Sequence, residues 1–153
     1  MAFDSGHALV IGVGSHQFNL QYDVPITVRD AKAVVNVLTD PAACSYPPRQ
    51  VTLLHDEIAT TQGVTGALDS LARCVKDSDT VFIFFAGHGV YSSDGNYYLG
   101  THDTRFVSNG KELAIVEGTG LSLTTLMEKL AQIPAERLLL VLNAEGNNMT
   151  DVM

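Results

Sequence analysis

An α/β fold with a mainly parallel sheet is what this chain predicts, on three observations. Four short, largely apolar runs (Ala8 to Val13, Val51 to Leu54, Thr80 to Ala86 and Leu138 to Leu142) have strand length. The segments between them carry apolar residues at helical spacing, over 28–38, 60–75 and 123–133. The runs are continuous rather than alternating, as in strands buried on both faces. Strands and helices in this alternation give parallel strands joined by right-handed crossovers, with helices on both sheet faces.

Each element follows from its residues. Ala-Leu-Val-Ile-Gly-Val at 8–13 is the first strand. Val28, Ala31, Val34, Val35 and Leu38 share one helical face, and Asp40-Pro41 stops that helix. A loop with Cys44, Tyr46, Pro47 and Pro48 leads to the second strand at 51–54. Val64, Leu68, Leu71 and Val75 line the buried face of a second helix over 60–75. Asp77-Ser78-Asp79 turns the chain into the third strand, which is expected to stop at Gly87. Asn96 to Leu99 reads as a short extended piece. Asn109-Gly110, between Phe106-Val107 and Leu113 to Val116, is a hairpin signal. Leu123, Leu126, Leu130 and Ile133 face inward from a third helix that Pro134 ends, and 138–142 is the fourth buried strand. No helix follows it within the given sequence, so it is expected to be an uncovered edge and the chain part of a larger unit.

Composition bounds the function. The chain has 153 residues, 46% of them hydrophobic and 17% charged, which suits one ordered domain with a real core. A net charge of -8 argues against a nucleic-acid or anionic-membrane partner. Two cysteines, Cys44 and Cys74, make neither a disulfide framework nor a zinc site. A reducing cytoplasmic setting is expected. No apolar run reaches membrane-spanning length, and Met1 to Ser5 lacks the basic region of a signal peptide.

The strongest functional signal is Gly87-His88-Gly89, directly after the third strand. A histidine between two glycines at that place is poorly explained by packing. Sites in open α/β sheets collect at the carboxyl ends of strands, and imidazole is the usual proton carrier at neutral pH.

In this order the motifs resemble the caspase-like cysteine peptidases, in their metacaspase and bacterial branch. Ala8 to Val13 is similar to the family's first strand, and Arg29-Asp30-Ala31 to its Asp-Ala at the first helix. Val51 to Leu54 with Asp56-Glu57 and Ala59-Thr60 is similar to its second strand and helix start. Asp79 to Gly89 is similar to its histidine motif, and Tyr97 to Gly100 to its Tyr-Leu segment. Leu138 to Leu142 resembles the strand that carries the nucleophile. The resemblance implies a sheet with helices on both sides and peptide-bond hydrolysis by a cysteine paired with a histidine, without metal or cofactor. His88 would be the general base and acid, and Gly89 a backbone donor to the oxyanion.

The resemblance breaks after Leu142. Where the family has Asp-Ala-Cys-His-Ser-Gly, this chain has Asn143-Ala144-Glu145-Gly146-Asn147-Asn148. Glu145 stands at the nucleophile's place, and Asn143 replaces an acid that helps recognise a basic side chain. The expectation is an inactive or incomplete large-subunit portion of a caspase-like endopeptidase spanning 1–153, its partner a peptide or protein substrate. The alternatives are a pseudoprotease serving as a binding or regulatory module, or a nucleophile elsewhere. The missing small-subunit portion, or another chain, is expected to pair with the fourth strand. Cys74 in the second helix and Cys44 in a loop are not expected to replace the nucleophile.

Gly12-Val13-Gly14-Ser15-His16-Gln17 lacks the third glycine of a dinucleotide loop. Under the resemblance it borders the cleft. His16 then reads as a solvated loop histidine, with a substrate-facing place as the alternative. Asp30 reads as a helix cap, with a share in an acidic substrate pocket as the alternative. His102-Asp103 has no third metal ligand at standard spacing. His7 reads as solvated, His55-Asp56-Glu57 as a turn, and Asp94, Asp103, Glu112 and Glu117 as solvated loop charges.

Overall fold

A computed structural model describes residues 2–92, 95–108 and 113–145. In chain order the elements are β1 (Gly6–Gly12), α1 (Ile26–Thr39), β2 (Val51–His55), α2 (Thr61–Cys74), β3 (Thr80–Tyr91), β4 (Tyr97–Leu99), β5 (Phe106–Ser108), β6 (Leu113–Ile115), β7 (Leu121–Ser122), α3 (Leu123–Ala131) and β8 (Arg137–Glu145). Every helix and every long strand expected from periodicity is present, with ends moved by a few residues.

The apolar runs pair as parallel strands. β2, β1, β3 and β8 lie side by side in that order, and β1 pairs with β3 from Gly6↔Thr80 to Gly12↔Ala86. β8 continues beside β3 to the rung His88↔Glu145. Because side chains alternate across a strand, each strand feeds two cores. Ala8, Val10, Phe84 and Ala86 face α1, where Ala31 and Leu38 bury against them. Leu9, Ile11, Ile83 and Phe85 face the other way, onto Val64 and Leu68 of α2 and Leu126 of α3. Fully burying a side chain such as Phe85 is worth roughly 1.5–3 kcal/mol, and it is 1% exposed.

Helix starts are set by small polar residues. Thr60 accepts the Gly63 N–H at 2.9 Å and Ser122 that of Thr125 at 3.0 Å. Gly12 lets α1 approach β1, since a Cβ there would lie 2.8 Å from Ala31 Cβ and 2.9 Å from the Thr27 carbonyl oxygen.

Three expectations need correction. β3 does not stop at Gly87 but runs to Tyr91, because β4 supplies an antiparallel partner through Gly89↔Leu99 and Tyr91↔Tyr97. β7 was not expected, and it pairs with β4 through Leu99↔Leu121. His7 is not solvated: its Nε2 lies 3.2 Å from Asp79 Oδ2, with both side chains largely buried. The hairpin is present as β5 and β6, paired from Phe106↔Ile115 to Ser108↔Leu113. Its Asn109-Gly110 turn, Asp94, Glu112 and Gly146-Asn147-Asn148 lie outside the described residues.

Among the described residues β8 pairs only with β3, and no strand covers its outer edge. Leu139 and Leu142 on it are 57% and 37% exposed. No helix among these residues is long and apolar enough to cross a membrane.

Candidate active site

At the carboxyl end of the parallel strands β1 ends, β3 continues, and the turn Leu20–Tyr22 closes over the gap. His88 projects here from β3. Its Nε2 lies 2.7 Å from the Tyr22 carbonyl oxygen. A carbonyl can only accept, so Nε2 carries the proton. In the neutral ring Nδ1 then holds a lone pair, and this buried atom has no hydrogen-bond partner among the described residues. A neutral imidazole with one nitrogen tied to a backbone acceptor and the other free is set up to take a proton.

The ring is held by packing as well. The centroids of His16, Phe106 and Tyr22 stand 5.3, 5.7 and 6.3 Å from that of His88. Phe106 comes from β5, and Asn19 ties it down, giving its Nδ2–H to the Phe106 carbonyl at 3.1 Å and accepting the Phe106 N–H at 2.8 Å.

Gly89 follows His88 inside β3. The Gly100 N–H donates to the His88 carbonyl at 2.8 Å, so His88 turns its backbone groups toward β4. Alternation along the strand then turns the Gly89 N–H toward β8. On β8 the ladder brings Asn143 beside Ala86, Ala144 beside Gly87 and Glu145 beside His88. His88 and Glu145 are therefore neighbours on adjacent strands. Asn143 is exposed.

His16 contradicts the expectation of a solvated loop residue. It is 0% exposed. Its backbone N–H donates to Asp23 Oδ1 at 2.8 Å, and its Nδ1 lies 3.2 Å from the same oxygen. Burial is the main cause that lowers its pKa below the ordinary histidine value; His88 and His102 push the same way, and Asp23 opposes them. The alternative, direct contact with a substrate, is also at odds with a side chain closed off from solvent.

Asp30 does not cap α1. It is the fifth residue, past the free N–H groups of the first turn, and the helix has no side-chain cap. Half-buried, it takes no hydrogen bond or ion pair among the described residues and lies toward the end of the sheet where His88 sits. His102 and Asp103 form no metal site. Nδ1 of His102 lies 3.0 Å from the Ser15 carbonyl oxygen, and Asp103 Oδ1 accepts the Thr61 N–H at 3.0 Å. No group of three metal-ligating side chains occurs among the described residues. Cys44 and Cys74 are exposed. Cys44 follows the end of α1 and Cys74 ends α2, both at the opposite end of the strands from His88.

Three contributors escape a reading of the sequence. Tyr22 acts through its carbonyl, which no residue type signals. Asp23 comes from a segment with no motif of its own, and the hairpin signal that holds Phe106 says nothing of its packing against His88.

The profile of the caspase domain matches residues 5–147. The chain belongs to the caspase-domain family, whose fold carries cysteine peptidases acting on proteins. No curated protein matches it.

Proposed function

We propose that this chain supplies the large-subunit part of a caspase-like endopeptidase site, with His88 as general base and acid. The observation that carries the reading is the rung His88↔Glu145, which sets position 145 beside a histidine whose buried Nδ1 has no hydrogen-bond partner among the described residues. A thiol at that place would give its proton to Nδ1, attack the scissile carbonyl, and leave the imidazolium to protonate the departing amine. The Gly89 N–H, turned toward β8, is a donor for the developing oxyanion. Asp30 and Asn143 are the groups proposed to meet the substrate side chain.

Glu145 cannot play the thiol's part, because a carboxylate is too weak a nucleophile for this route. The chain as it stands is therefore inactive, and the same residue favours a second reading as a pseudoprotease that binds or regulates. The outer edge of β8 is where the remaining strands of the domain, or another chain, would pair.

The test is the Glu145→Cys variant, with the remaining strands of the domain supplied. It is exposed to peptide probes bearing a thiol-reactive group and Arg, Lys or Asp at the leading position. One adduct by intact mass, absent from the unsubstituted chain and lost in Glu145→Cys with His88→Ala, is expected. A folded Glu145→Cys protein that forms no such adduct supports the pseudoprotease. An adduct on the unsubstituted chain that needs His88 would place the nucleophile at Cys44 or Cys74 and overturn the assignment of β8.

A further inference from the structure

We propose that Asp23 and His16 together position His88, by fixing the turn whose last carbonyl holds its ring and by locking the two histidines in opposite tautomers. The inference deepens the reading of His88 as the base and rests on it.

The connection is short. Asp23 directly follows Tyr22, whose carbonyl takes the His88 Nε2–H. Asp23 Oδ1 meets both the backbone N–H and the Nδ1 of His16. The ionised carboxylate can only accept, so His16 Nδ1 carries a proton and its Nε2 a lone pair. His88 is the reverse, with Nε2 protonated and Nδ1 free. Fixing Asp23 therefore fixes the direction of the preceding carbonyl, and that carbonyl decides which nitrogen of His88 is basic.

A purely structural account of His16 falls short. A buried polar atom without a partner is costly, and among the described residues His16 Nε2 is such an atom. An apolar side chain of similar size would fill the space without that penalty. The loop has its own closures in the bonds from Val24 N–H to the Gly14 carbonyl, 2.8 Å, and from Asp23 N–H to the Leu20 carbonyl, 3.1 Å. What the histidine adds is a second donor to Asp23 and a rigid ring beside His88. Asn19 anchors the turn's other end to Phe106, so the Tyr22 carbonyl is held from two sides. The charged and titratable groups that act on His16 are Asp23, His88 and His102.

Ring-nitrogen NMR of the histidine-labelled chain tests this near neutral pH, and it needs no nucleophile. The unsubstituted chain should show His88 protonated at Nε2 and His16 at Nδ1. In Asp23→Ala, folded by circular dichroism, the two His88 ring nitrogens should move toward each other, as in an imidazole exchanging tautomers. Asp23→Asn, which keeps the acceptor oxygen, should restore the separation. If Asp23→Ala does not fold, the comparison passes to His16→Phe, which removes the ring donor to Asp23 and should move the His88 nitrogens the same way. Two results overturn the proposal: a native His16 protonated at Nε2, or a folded Asp23→Ala or His16→Phe protein with unchanged His88 signals. Failure of Glu145→Cys to react would instead touch only the peptidase reading.

Discussion

Replacing Gly89 by alanine should destabilise the protein by roughly 2 kcal/mol, the middle of the range for overpacking a core, and that loss should vanish when Tyr97 is also removed. A Cβ on Gly89 would overlap the Tyr97 hydroxyl oxygen and lie 2.5 Å from Tyr97 Cζ and 3.1 Å from Ala144 Cβ. No carbon sits that close to an aromatic ring, so Tyr97 must swing out and expose a ring whose burial now raises its hydroxyl pKa. The Gly89 backbone itself has no positive φ, so alanine is not strained there. In a Tyr97→Ala background the same substitution should be neutral, or stabilising by up to about 1 kcal/mol from reduced chain entropy. The cycle therefore predicts a coupling of about 2–3 kcal/mol between adjacent side chains. Urea unfolding followed by circular dichroism gives the four free energies, provided the slopes agree. A cost in the Tyr97→Ala background equal to that in the parent would refute the reasoning. It would mean that position 89 demands glycine for its backbone or for the close approach of Ala144 rather than for the space Tyr97 fills.

Four other outcomes are expected. Phe85→Ala, at a site 1% exposed, should cost about 3–5 kcal/mol in chemical denaturation. Because the folded-state pKa of His16 is lowered, its contribution to stability is fully present above the ordinary value near 6.5. That contribution is lost as pH falls from there through the folded value; stability of His16→Phe should be flatter across this window, and parallel pH curves would sink the assignment. Asp56 has φ 51° and accepts the Gly14 N–H at 3.1 Å, so Asp56→Ala should lose about 1–3 kcal/mol while Asp56→Asn loses much less. Hydrogen exchange along β8 should show alternate amides fast and the others protected; uniform protection would mean that its outer edge is covered.

The sequence made the long elements legible because their signal is the burial pattern itself. Leu138 to Leu142 and Val81 to Phe85 are continuous apolar runs; β3 lies between two cores as that composition requires, whereas β8, expected to be a buried strand, is only partly buried, with Leu139 and Leu142 exposed beside its uncovered edge. What escaped was set by partners. β3 runs past Gly87 only because β4 pairs with it, and two glycines in a row of five residues read locally as an end. His88 was legible from its flanking glycines and its place at a strand end. His16 was not, because loop position alone gives no hint that Asp23, seven residues on, closes over it. Asp30 looked like a cap from its place after Val28-Arg29, yet α1 begins at Ile26, which moves it beyond the first turn. Tyr22 holds the His88 nitrogen through a carbonyl, and every residue has one.

The rung His88↔Glu145 is the last of its ladder among the described residues, and its two halves come from distant parts of the chain. During synthesis from the amino end, β1 and β3 can pair and seat His88 before β8 has been made. A reactive group at position 145 would reach His88 only once β8 had aligned along its full length. A slip of one residue would turn that group to the opposite sheet face. Under the proposed function, the assembly order of this sheet would keep any nucleophile placed at position 145 away from His88 until the final strand is seated.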